Sequence, residues 1–203
     1  VLANYPIRDG RLANGVGYDA PQSTVVMLRV LEEAGYGLAA PPSSALRAPS
    51  PVKGEGPTAH LQSAPPFSLD GRRWRGAPDE GGAAHASLPP DGNALITLLQ
   101  AGPTNANPGR GEGVRFALAR YRELFAALPD KVREEVTARW GDAAADPFCR
   151  GDSFHLPAVR FGNVAVLVQP SRGYHLDETA SYHDPDLVPP HGYLAAYLWL
   201  RHE

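Results

Sequence analysis

The stretch FGNVAVLVQP, residues 161–170, constrains the fold more than any other part of the sequence. Val164, Ala165, Val166, Leu167 and Val168 form an unbroken apolar run bounded by Gly162-Asn163 on one side and Pro170 on the other. A run this short and this rich in valine suits a strand better than a helix. A strand facing water on one side would alternate apolar with polar residues, so this one is expected to be covered on both faces. The rest of the chain must then supply a layer for each face.

Several segments read as helices that can do so. Asp19 and Gln22 stand at the spacing of a capping-box variant, and Pro21 falls in a first turn where its missing N–H costs nothing. Val26, Val30 and Ala34, with Leu31, predict an apolar face, and Gly35 and Gly37 end the helix. DGNALITLLQ, residues 91–100, reads as a second, shorter helix. Val114, Leu118, Tyr121, Phe125, Leu128, Val132 and Val136 recur at spacings of three and four, a stripe expected to pack on a core. Pro129 divides that stripe, predicting a helical hairpin. VLANYP, residues 1–6, reads as the end of a further strand. The order strand, helix, helices, strand, helix predicts an α/β fold: a layered parallel-type sheet with helices on its faces, plus the hairpin. In such sheets ligands lie beyond the carboxyl ends of the strands. The loops RDGRLANGVG and QPSRGYH both follow strand ends and are expected to share one edge.

Residues 41–90 differ in character, being dominated by Pro, Gly, Ala and Ser. They are expected to form a long Pro/Gly-rich insertion, partly disordered, within one α/β region spanning residues 1–203. Phe67 and Trp74 are its aromatic anchors, and His60 and His85 are expected to be solvated. The opening Val1-Leu2-Ala3, without Met, reads as a piece of a longer polypeptide.

The net charge of −3 provides no electrostatic footprint for nucleic acid. No run of about 18 apolar residues suggests a membrane span, and no charged-then-apolar leader suggests export, so the expected location is the cytoplasm. Cys149 is the sole cysteine, which excludes an intrachain disulfide and a cysteine zinc cage; in DPFCRGD it reads as a structural thiol. The two lysines, Lys53 and Lys131, precede Gly54 and Val132, so there is no P-loop and no cofactor-binding motif of that kind. Gly15-Val16-Gly17-Tyr18-Asp19-Ala20 has the wording of a dinucleotide fingerprint but lacks an acidic residue near 38–42. H-E-x-x-H and G-x-S-x-G are both absent.

The densest set of titratable groups begins with Gln169, Arg172, Tyr174, His175, Asp177 and Glu178 and continues through YHDPDLVPPH, residues 182–191. Two imidazoles and one or two carboxylates suit a borderline divalent ion, and Pro185, Pro189 and Pro190 would stiffen the backbone around it. The same residues also read as a structural loop, in which Asp184 and Asp186 make turn hydrogen bonds and the prolines launch the last helix. Spacing leaves both readings open.

Three blocks extend this reading: ANYPIRDGRLANGVGYDAPQST, DGNALITLLQAGPTN, and GNVAVLVQPSRGYHLDETASYHDPDLVPPHGYLAAYLWLR. In this order they resemble the cobaltochelatase large subunit, CobN, a family related to the H subunit of magnesium chelatase. The resemblance implies a tetrapyrrole-binding subunit that inserts Co²⁺, as substrate metal, into a corrin-ring diamide during cobalamin biosynthesis. It implies that ATP and Mg²⁺ are handled by separate AAA+ partner subunits, and that this region alone is inactive. Metallation removes ring N–H protons while a partly desolvated ion is delivered, so a site needs bases and loosely held ligands. On that basis His183 and His191 are candidate ligands or bases, with Asp184 as supporting carboxylate. Arg8 and Arg172 are candidates for the ring's edge carboxylates and amides, with Gln169 beside them, and Tyr5, Tyr174 and Tyr182 for flat contact with the ring. Asn4, Asp9 and Asn14 are expected to shape loops. The alternatives are a magnesium chelatase H subunit acting on protoporphyrin, and a non-catalytic α/β ligand-binding module.

Overall fold

The computed structural model describes residues 1–4, 8–13, 15, 17–38, 86–174 and 186–203. Of the insertion expected over 41–90, residues 41–85, with Phe67, Trp74, His60 and His85, lie outside the described residues. Its last five residues dock on the body: Ala86 donates its N–H to the Arg160 carbonyl (3.2 Å), and Leu88 packs on the core.

Helix α1 (Ala20–Glu33) starts where the sequence predicts, with the Asp19 carboxylate accepting the Gln22 N–H at 2.9 Å. Its buried face is not the predicted one. Val25 and Leu28 point inward, while Val26 and Val30 are exposed. The contact with α2 (Gly92–Ala101) decides this: the Gln22 side chain accepts the Gly92 N–H (2.8 Å), and a Cβ on Gly92 would lie 2.6 Å from the Gln22 nitrogen. Glycine lets the helices meet there, and that meeting turns the face carrying Val25 and Leu28 toward the core.

Residues 114–117, read as the start of a helical stripe, form a strand instead. In β1 (Val114–Ala117), Val114 and Phe116 are buried and Arg115 and Ala117 exposed, a period of two that overlaps the helical spacing. The chain then enters α3 (Leu118–Ala126) directly, and Pro129 separates it from α4 (Asp130–Trp140), so the predicted break between two helices is present. Next come β2 (Cys149–Arg150), β3 (Ser153–Leu156), β4 (Ala158–Phe161), β5 (Val164–Leu167) and α5 (His191–His202).

The molecule is mixed α/β, but the parallel-type sheet is not what forms. The strands make an antiparallel three-stranded sheet in the order β1-β3-β2 and an antiparallel pair β4-β5. For β2-β3 and β4-β5 the reason is connection length: two residues join each pair, whereas parallel neighbours need a crossover of about a dozen residues. Parallel pairing survives as the bridge between Leu2 and Val168. It carries two hydrogen bonds, from the Leu2 N–H to the Leu167 carbonyl and from the Gln169 N–H to the Leu2 carbonyl, both 2.7 Å.

Strand β5 is covered on both faces, as its composition requires. Leu167 joins a core with Phe116, Tyr121, Phe154, Leu156 and Trp199, built from the three-stranded sheet, α3 and α5. Val166 and Val168 join a second core with Val25, Leu28, Leu95, Leu99 and Phe161, under α1 and α2. Among the described residues no helix is long and apolar enough to cross a membrane.

Candidate functional site

The Leu2–Val168 bridge runs both strands in the same direction, so the loops after them leave from one edge, as expected. A third loop, residues 102–113, locks onto both. Asp9, in a short 3-10 turn (Asp9–Arg11), accepts hydrogen bonds from Thr104 Oγ1 (2.7 Å) and Asn107 Nδ2 (2.9 Å) and an ion pair from Arg110 (2.8 Å). Its backbone carbonyl accepts from Gln100 Nε2 at 2.7 Å. Asn105 grips the other loop, its Nδ2 donating to the Gln169 carbonyl (2.8 Å) and its Oδ1 accepting the Ser171 N–H (3.1 Å).

This junction carries Arg8, exposed beside Asp9, and Gln169 and Arg172, both half-buried. Burial alone would raise the Asp9 pKa, but the bonds from Thr104 and Asn107 and the charge of Arg110 outweigh it and hold the carboxyl below its ordinary range. Asp9 therefore shapes the junction and is a poor proton acceptor. Asn4, next to the bridge, is 7% exposed, and its Oδ1 has no hydrogen-bond partner among the described residues. A buried acceptor left open in this way costs free energy unless a donor arrives.

The loop beginning at Gln169 ends at Tyr174 on a second, buried cluster. Asp146 is its centre: the carboxylate accepts the Tyr174 hydroxyl (3.1 and 3.2 Å), the Phe148 N–H (2.9 Å) and the Gly192 N–H (2.8 Å). Burial pushes the Asp146 pKa up against those bonds. Through Gly192 the carboxylate satisfies the first turn of α5, which Pro190 at the cap cannot do with a side chain. Tyr174 is packed at an angle to Trp140 (5.6 Å between centroids) and near Phe148, so it is held inside the fold rather than presented as a flat platform.

His191 is 2% exposed, with Nε2 at 3.0 Å from the Gly141 carbonyl and Nδ1 at 2.6 Å from the Tyr121 hydroxyl. A carbonyl only accepts, so Nε2 carries the proton. Burial, then the charge of Asp146, raises the Tyr121 pKa, so the phenol keeps its proton and donates it to Nδ1. Both imidazole nitrogens are thus engaged. A metal at His191 would have to displace one of these partners. Cys149 is half-buried, and burial, then Asp146, pushes its thiol pKa up, in keeping with a structural thiol.

Tyr5, Tyr182, His183 and Asp184 lie outside the described residues, as do His175, Asp177 and Glu178. The described residues flanking 175–185 meet at one side chain: Trp140 packs against Tyr174 and donates from Nε1 to the Val188 carbonyl at 2.9 Å. No cluster of three or more His, Cys, Asp or Glu side chains suited to a metal occurs among the described residues. Sequence reading assigned no role to Thr104, Asn105, Asn107, Arg110 or Asp146. The one signal was the polar, turn-forming composition of TNANPGRGEG beside the second block.

The family described as CobN/Magnesium Chelatase matches residues 1–55 and 77–203. The chain belongs to this family. Within the CobN/magnesium chelatase family it is 41% identical over 204 residues to the aerobic cobaltochelatase subunit CobN of Sinorhizobium sp.. It is 38% identical over 205 residues to the protein of that name from Pseudomonas aeruginosa. Both alignments cover 100% of the chain, which spans only 12% and 13% of the length of those relatives. The H subunit of the Rhodobacter capsulatus magnesium chelatase is 28% identical over 116 residues, covering 57% of the chain and 9% of that protein. No solved structure matches. The chain is therefore related to metal chelatase subunits.

Proposed function

We propose that this chain is part of the tetrapyrrole-binding large subunit of a cytoplasmic, ATP-dependent cobaltochelatase, which inserts Co²⁺ into a corrin-ring diamide. ATP is hydrolysed by separate AAA+ subunits. The observation that supports this best is the convergence of the three family-resembling blocks on one polar junction. Asp9 from the first, Asn105 from the second and Gln169 with Ser171 from the third are hydrogen-bonded through one loop.

The chemistry suits the edge of a substituted macrocycle. Arg8 and Arg172 offer guanidinium groups for peripheral carboxylates, and the open Oδ1 of Asn4 offers an acceptor for a carboxamide N–H. His183 serves as ligand or base with Asp184 in support. His191 joins them as ligand only when released from Tyr121 or Gly141; otherwise it fixes the start of α5. Identities of 41% and 38% across the whole of this chain to two cobaltochelatase subunits, against 28% across 57% of it to the magnesium chelatase subunit, favour cobalt.

The test is metallation by the full-length subunit with its ATPase partners. Cobalt insertion into a corrinoid diamide is expected, with little magnesium insertion into protoporphyrin. Arg172→Ala is expected to raise the KM for the corrinoid about tenfold and change kcat less, a loss of about 1.4 kcal/mol of binding. Tight corrinoid binding without metallation under any of these conditions would overturn the enzyme reading in favour of a binding module.

A further inference from the structure

A groove of about 350 Å³ lies between α1 and the edge of β5, away from the polar junction, with Leu2, Thr24, Met27, Leu31, Val164 and Ala165 among its lining residues. It is flanked by exposed apolar side chains: Val1 is 66% exposed, Tyr18 59% and Met27 55%. The backbone on its sheet side has a definite pattern. Val168 donates its N–H to Pro157, so by the alternation of an antiparallel ladder Val166 and Val164 also bond toward β4. The intervening residues, Leu167 and Ala165, turn their backbone groups the other way. The Leu167 carbonyl is taken by Leu2, which leaves the Leu167 N–H and both backbone groups of Ala165 directed along the groove.

We infer that this groove seats an extended apolar strand running parallel to β5, in line with Val1 and Leu2 and supplied by the stretch that leads into Val1 in the longer polypeptide. The direction follows from the Leu2–Val168 bridge, which is parallel and already makes two bonds of that ladder. The next rungs in register are the Leu167 N–H and Ala165 carbonyl, then the Ala165 N–H. Polypeptide to supply the strand is abundant in the relatives, of which this region is 12% and 13%. The side-chain preference also follows. Leu2 points into the core with Leu28 and Val166, so the residue immediately before Val1 and the one two positions further upstream share its face and are apolar. The strand would make β5 the central strand of a three-stranded mixed sheet, removing an edge open to wrong pairing.

Hydrogen exchange of the full-length subunit, read at single-residue level, tests this. The Ala165 and Leu167 amides are expected to exchange at least about 100-fold more slowly than in an unstructured peptide, alongside Val164 and Val166, whose amides face β4 and serve as the internal reference. Fast exchange at Ala165 and Leu167 with slow exchange at Val164 and Val166 overturns the inference. So does protection that appears only as protein concentration rises, because the edge would then be closed by a second copy. Met27→Glu in the full-length protein checks the helix side: a buried charge there is expected to lower Tm by several degrees, and an unchanged Tm counts against a seated strand.

Discussion

Asp9, partly buried, and Asp146, almost fully buried, end with opposite charge preferences. On Asp9 the burial penalty loses to two side-chain hydrogen bonds and the Arg110 charge, so its pKa falls; on Asp146 it wins, so the pKa rises. The sign for stability follows from linkage. A folded pKa below the unfolded value of about 3.9 makes the Asp9 contribution complete above that pH and lost as pH falls through the folded value. Asp146 acts in the other direction: its contribution is complete below the unfolded value and lost as pH rises through the folded one. Asp9→Asn is therefore expected to lower stability at pH 7 by about 1–3 kcal/mol and to flatten the loss below about pH 4, checked by Tm against pH. Tyr121→Phe keeps the ring stacked on Phe125 but leaves Nδ1 of buried His191 without its donor. It is expected to cost about 1–3 kcal/mol in urea unfolding. A coupling near zero in the double-mutant cycle with His191→Phe would deny that the pair acts as one unit.

At the scale of elements, the sequence was most readable where one local rule acted alone. The Asp19 cap, the break at Pro129 and the doubly covered strand β5 each follow from neighbours within a few residues. Misreadings came where two periods fitted the same residues, as at 114–117, or where a distant contact chose between stripes, as Gly92 does for α1. Strand direction needed the connection lengths. The β4-β5 turn makes this concrete. Gly162 has φ +52°, and a Cβ there would collide with the Gly37 carbonyl oxygen, the acceptor for the Asn163 N–H at 2.8 Å. That approach ties the end of the segment after α1 to the hairpin. Gly162→Ala is expected to destabilise by at least about 1–3 kcal/mol, with extra loss of protection at the Asn163 amide. An unchanged midpoint would mean that the segment after α1 can move aside.

For the whole molecule, the junction was legible as two polar loops on one edge, but the third loop, residues 102–113, and the bonds it makes were not. Side-chain amides reaching distant backbone, as Asn105 does to Gln169 and Ser171, leave no periodicity to read. The two cores pose a similar question, because residues from 2 to 168 interleave in the second and from 114 to 199 in the first. Only packing shows that β5 is shared, with Leu167 facing one core and Val166 and Val168 the other. If the shared strand couples them, the cores unfold as one unit. Leu167→Ala removes a fully buried side chain from the first core and is expected to cost about 2–5 kcal/mol. The distinguishing readout is hydrogen exchange at Phe154 in the first core and at Leu28 and Leu95 in the second. With coupling, all three lose protection by the same factor, about tenfold for each 1.4 kcal/mol, although Leu28 and Leu95 do not belong to the core that is cut. Loss confined to Phe154 would instead mean two cooperative units that meet at β5 without sharing their stability.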